Sequence, residues 1–219
     1  SETPTLQWLV NDADHAFATA SLNRDIAQSF TPTASGLVNR ISVLLAKSGS
    51  PSSNITARIV ADAGGSPATS QLASATIAPS QVGTTAAWIN VGFASPATVV
   101  SGTKYWIVLD YGSNSGTDYW IWRKDSTDAY AGNTGKDKNN WTSGGSWSSA
   151  SGDLAFKVWI GGTNTKIDNV TVGNATAGTG RANLFVSANI HGSSCPNPYC
   201  IVEDPESQAF PISQSEIDS

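Results

Sequence analysis

Five of the chain's eight tryptophans fall between Tyr119 and Trp159: Trp120, Trp122, Trp141, Trp147 and Trp159. Turn formers and short polar residues separate them, as in Asn139–Asn140–Trp141–Thr142–Ser143–Gly144–Gly145–Ser146–Trp147. An indole on a rigid scaffold can stack on the C–H face of a pyranose while neighbouring Asp, Asn and Arg side chains bond the hydroxyls. The residues whose types and spacing suit that chemistry are Trp120, Trp122 and Arg123 on one predicted strand, Tyr130 beside Asp125, Asp128 and Asn133, and Trp141. Trp120 and Trp122 share one face of their strand and Tyr119 and Ile121 the other, so one pair must look away from the core. Trp141 and Trp147 flank Ser143–Gly144–Gly145, and can instead form a hairpin whose rings clasp each other across the strands. Trp88, Trp106 and Trp159 stand inside predicted strands and are expected to pack in the core or on a sheet face.

Catalysis finds few residues. Glycoside hydrolysis needs two opposed carboxylates, yet the four glutamates, Glu2, Glu203, Glu206 and Glu216, all lie outside residues 26–162. The aspartates inside that span, among them Asp110, Asp118, Asp137 and Asp153, sit mostly at turns, where the carboxylate commonly bonds its own backbone. His15 and His191 are the only histidines, and there is no Gly–x–Ser–x–Gly elbow, phosphate loop or dinucleotide fingerprint. The sequence therefore predicts no enzyme and no organic cofactor. Calcium is the ion it suggests within the sandwich. Asp62 in a Gly-rich turn, and Asp125 and Asp128 with Asp137 nearby, offer the hard oxygens that calcium takes, although the same residues can simply cap turns. Cys195 and Cys200, the only cysteines, enclose two prolines, and the short loop suits a disulfide and an oxidising compartment. A metal site of His191, Cys195 and Cys200 is the alternative, one ligand short of the usual structural zinc.

The elements that must position these residues read as strands. Ile41, Val43 and Leu45 alternate with smaller or polar neighbours. Ile55–Val60, Gln71–Ile77, Trp88–Phe93, Tyr119–Arg123 and Leu154–Ile160 are further strands, bounded by Gly, Pro, Ser and Asn clusters. Trp88–Phe93 is expected to end at Ser95–Pro96. Lys104–Leu109 carries apolar residues on both faces, which predicts a central place between two sheets. The pattern predicts an all-β fold, an antiparallel two-sheet sandwich of jelly-roll type over residues 1–162. Short branched segments after Gly161–Gly162 predict a small solenoid-like or extended piece over 163–219. With no methionine, position 1 included, and a capping-box pattern at Ser213–Glu216, the chain is expected to be cut from a longer one. A net charge of −5 and a pI near 4.8 argue against nucleic acid or an anionic membrane as partner, and no apolar run approaches the length that spans a bilayer.

Ala27–Gln28–Ser29–Phe30, Asn39–Leu45, the turn Asp62–Pro67, Gly102–Val108 and Asp153–Val158 occur in that order. Together they resemble the "choice-of-anchor" type of bacterial extracellular β-sandwich domain, over about residues 26–162. The tail from Thr163 is similar to segments that follow such sandwiches in large surface proteins. The resemblance implies a secreted or surface-attached, multidomain parent and brings no catalytic residues. Two functions fit: a non-catalytic module that binds a polysaccharide or other glycan, or a structural subunit that contacts other surface domains or copies of itself.

Overall fold

The computed structural model describes residues 3–19, 25–112, 115–143 and 145–161. The chain divides into two units, Ser1–Thr163 and Asn164–Ser219, and every described residue belongs to the first. The expected solenoid-like segment and the Cys195–Cys200 loop lie outside the described residues.

Period-two alternation sets the strands. They are β1 (Leu6–Trp8), β2 (Ala13–Phe17), β3 (Asp25–Phe30), β4 (Gly36–Ser48), β5 (Ile55–Asp62), β6 (Pro67–Ile77), β7 (Ala87–Val99), β8 (Tyr105–Asp110), β9 (Tyr119–Lys124), β10 (Gly135–Lys138), β11 (Ser148–Ser149) and β12 (Phe156–Gly161). Among the described residues the only helical element is a 3-10 turn at Pro79–Gln81, and no helix is long and apolar enough to cross a membrane.

All strand pairs are antiparallel. The first sheet is built on β4, which is long enough for two strands to share one edge: β12 pairs with residues 37–43 and β9 with 45–48. β7 follows the other edge, and β1 and β2 flank β12 and β9 in turn. The second sheet runs β11-β10-β3-β8-β5-β6. Between the sheets, Ile41, Val43, Leu45, Ile89, Val91, Phe93, Phe156 and Val158 of the first meet Ile26, Phe30, Ile55, Ile59, Ile107 and Leu109 of the second. Burying each such side chain stabilises the fold by about 1.5–3 kcal/mol. The antiparallel sandwich is thus the fold of this unit.

Three departures from simple alternation shape the surfaces. Against β12, the register of β4 skips Asn39, so Arg40 pairs Trp159 while Val38 pairs Ile160. This one-residue bulge keeps both Val38 and Ile41 inside and turns Arg40 outward. On the other edge, β7 does not stop at Ser95–Pro96. Residues 93–96 oppose Asn39 in a wider bulge, where Pro96 forfeits no ladder bond, and pairing resumes at Ala97. The third departure concerns β8. Its second face, Trp106 and Val108, is not sandwiched by a sheet. The loop joining β10 to β11 lays Trp141 and Trp147 over Trp106, Val108, Ala27 and Val60 instead. β10 and β11, which alternation alone does not reveal, do make a hairpin. Its tryptophans sit on the connecting loop, above the second sheet.

Gly152 fixes the turn that leads into β12. Its φ is +147°, and a Cβ there would lie 2.0 Å from the Asp125 carbonyl oxygen. Backbone cannot yield as a side chain can, so Gly152→Ala is expected to destabilise by about 1–3 kcal/mol. An unchanged denaturation midpoint would disprove this close approach.

Candidate functional site

The structure scatters the residues that sequence assigned to ligand stacking. Trp120 and Trp122 are 0% exposed and belong to the main core, so neither can stack on a ligand at the surface. The Trp122 indole donates to the Ala155 carbonyl at 2.8 Å. Of the two pairs on β9, the larger rings go inward because they remove more apolar area from water, and Tyr119 and Ile121 take the outer face. Arg123 shares that outer face but is engaged by Asp14 and the Asn11 carbonyl. Tyr130 stacks on Trp8 with centroids 5.1 Å apart and leans on Phe156, and burial pushes its phenol up to about 12. Trp141 is 7% exposed and is capped by the Arg58 guanidinium, 4.8 Å from the ring centroid. These five residues serve core packing, a loop stack and a loop anchor, and form no common binding face.

The carboxylates offered for calcium are occupied by N–H donors. Asp62 accepts the Trp106 indole at 2.7 Å and the Gly65 amide at 2.9 Å. Asp125 accepts the amides of Thr127 and Asp128 and the Trp8 indole at 2.6–2.8 Å. Burial raises the Asp125 pKa, but those donors outweigh it and hold the carboxyl below its ordinary value. Asp128 turns the chain at φ 54° in the same loop. Asp137 lies 3.1 Å from His15 Nε2, joining β10 of one sheet to β2 of the other. Among the described residues no three His, Cys, Asp or Glu side chains are grouped to hold an ion. Turn capping accounts for Asp62 and Asp125.

Two carboxyls are pushed up, and both are sealed. Asp25, 1% exposed, stands opposite Asp110 on the β3–β8 ladder and accepts the amides of Tyr111 and Trp141. Burial, then the Asp110 charge, raises it to about 7. Asp153, 0% exposed, accepts the Tyr130 amide and the Gln28 side chain, and burial raises it to about 6. Gln28 reaches across the interior from β3 and also accepts the Leu154 amide at 2.7 Å. Groups so enclosed hold loops in place and offer no oxygen to a substrate.

The outer face of the first sheet is different. Bulge and alternation turn Arg40, Ser42 and Leu44 of β4, Trp88, Asn90 and Gly92 of β7, and Lys157 and Trp159 of β12 to one side. Trp88 and Trp159 are both half-buried, and each has a cation on its ring: Arg40 at 3.9 Å from Trp159 and Lys157 at 4.2 Å from Trp88. No family model, curated protein or solved structure matches this chain. The geometry must therefore carry the functional argument. Trp159 aligns with Arg40 and Trp88 with Leu44, four residues along β4 and two strand spacings across, which separates the two backbone positions by roughly 16 Å. Between them runs a polar row, Gln7–Lys157–Ser42–Asn90, in register across four strands. Two aromatic residues on rigid strands with polar groups between them can hold an extended ligand in register. Sequence reading expected Trp88 and Trp159 to pack in the core or on a sheet face and did not count them as ligand residues, yet the signal for an outward position was there. Trp159 alternates with Phe156, Val158 and Ile160, and Trp88 with Ile89, Val91 and Phe93, so both had to face outward if the others faced in.

Proposed function

We propose that this domain is a non-catalytic binding module for carbohydrate, and that its platform is the outer face of the first sheet with Trp88 and Trp159 as stacking residues. The observation that carries the reading is the pair of half-buried tryptophans on one outer sheet face, spaced by a polar row. An extended glycan can lay C–H faces on the rings and hydroxyls on Gln7, Asn90 and Arg40. The resemblance noted in the sequence implies that such a module would belong to a secreted or cell-surface bacterial protein. A structural subunit is the second reading. It is favoured by the long strands β7 and β6 at sheet ends, where another chain could add a strand.

Stacking on one ring contributes about 0.5–1.5 kcal/mol. Trp88→Ala and Trp159→Ala are therefore each expected to weaken glycan binding by about 2–12-fold while the domain stays folded. A glycan array followed by affinity electrophoresis of both variants checks this. If no glycan is retained and the protein instead sediments as concentration-dependent oligomers, the structural reading replaces the binding module.

A further inference from the structure

The middle of that platform is built to select charge. Lys157 and Ser42 pair directly in register, with Gln7 and Asn90 on either side of them. Ser42 is 1% exposed, and its hydroxyl has no hydrogen-bond partner. A buried hydroxyl left unsatisfied is uncommon and asks for an explanation. Lys157 crosses β4 to put its ammonium 4.2 Å from the Trp88 ring centroid. On β1, β12, β4 and β7 no Asp or Glu stands in this row or in the rows of Arg40 and Leu44 beside it, and Asp14, on the outer face of β2, is paired with Arg123. A flexible half-buried ammonium thus covers the stacking face of Trp88, next to an unused hydroxyl, with no carboxylate beside it among the described residues.

We propose that the preferred ligand is an acidic polysaccharide carrying ring carboxylates, a polyuronate, and that Lys157 is its specificity-determining residue. This rests on the carbohydrate-binding reading above. The ammonium leaves the Trp88 ring to form a charge-assisted hydrogen bond with a uronate carboxylate, and the uncovered ring then takes the C–H face of the same sugar. The Ser42 hydroxyl, freed from beneath the lysine stem, gains a partner. A neutral glycan must displace Lys157 from the ring and gives it nothing in exchange. The charge of −5 on the whole chain repels a polyanion at long range, so unspecific polyelectrolyte binding is opposed and any preference reports on this row.

The test compares polygalacturonate with its fully methyl-esterified, uncharged form, using dextran sulfate as a second polyanion and isothermal calorimetry as the readout. The wild-type domain is expected to bind polygalacturonate about tenfold or more tighter than the ester at low salt, with the gap closing at high salt. Lys157→Gln is expected to cross the two affinities over, weakening the acid and strengthening the ester, because the ring cap and the charge leave together. Equal binding of both forms by the wild type, or an equal loss on both in Lys157→Gln, overturns the charge selection and leaves the carbohydrate reading standing. Dextran sulfate bound as tightly as polygalacturonate overturns the choice of carboxylate. Acid and ester bound equally well by wild type and Trp88→Ala overturns the carbohydrate platform itself.

Discussion

Trp122→Ala is expected to cost about 3–5 kcal/mol of folding stability, a large share of the 5–15 kcal/mol that holds an ordinary domain together. The ring is fully buried between the sheets, in the cluster that holds Phe17, Leu45, Leu154 and Phe156. Its removal opens a cavity that paired strands on both sides cannot collapse into, and leaves the Ala155 carbonyl without its indole donor. Trp122→Phe refills most of the volume and should recover more than half the loss. Trp88→Ala, on the outer face, should cost about 1 kcal/mol or less, since surface substitutions seldom exceed that. Urea denaturation of the three variants separates the cases. A Trp122→Ala protein with a wild-type midpoint and reduced glycan binding would restore this residue to the binding site and remove it from the core.

Alternation made most of the sheet legible, because a strand with one dry face shows its period directly. Ile41, Val43 and Leu45 in β4, and Phe156, Val158 and Ile160 in β12, needed no tertiary information. The sidedness of β9 did. Both faces of Tyr119–Ile121 and Trp120–Trp122 are apolar, so the period fixes which residues travel together but not which pair goes in. Likewise Trp106 and Val108 announced a covered second face, while the cover proved to be a loop carrying two tryptophans. Its Gly and Ser content reads as exposed turn, yet the amide of Trp141 is tied to a carboxylate far away in sequence, Asp25. β10 was hidden for a related reason, since Gly–Lys–Asp–Lys has no apolar residue and is a strand only because β3 lies beside it. The candidate platform was missed because Trp88 stands far from the aromatic cluster in sequence, and Trp159, at the cluster's end, sits in a strand that reads as core. Those two come together only when β7 and β12 flank β4.

Stability should fall as pH rises from 5 to 8, the reverse of ordinary acid-sensitive behaviour. Asp25 has a folded-state pKa of about 7 and Asp153 of about 6, against 3.8 for the unstructured side chain. Below 3.8 both folded and unfolded chains hold these protons. Above it the unfolded chain gives them up first, so each group loses about 1.4 kcal/mol of folding stability per pH unit until its folded pKa is passed. Asp118 and Asp125 work the other way: their lowered values favour the folded state above 3.8, and that benefit disappears at more acid pH. The optimum should therefore lie near pH 4–5, with a decline on the order of 4 kcal/mol between pH 5 and pH 8 from the two raised carboxyls together. The Tyr111 and Trp141 amides favour the ionised form of Asp25, and it is burial and the neighbouring Asp110 charge that make its ionisation costly. Asp25→Asn cannot ionise. It should be less stable than the wild type at pH 5, where one amide donor loses its acceptor, and should lose at least half of the slope toward pH 8. Guanidinium titrations at pH 5 and pH 8 decide the matter: stability that rises between them, or a slope that Asp25→Asn leaves unchanged, would mean that the buried carboxyl does not hold its proton.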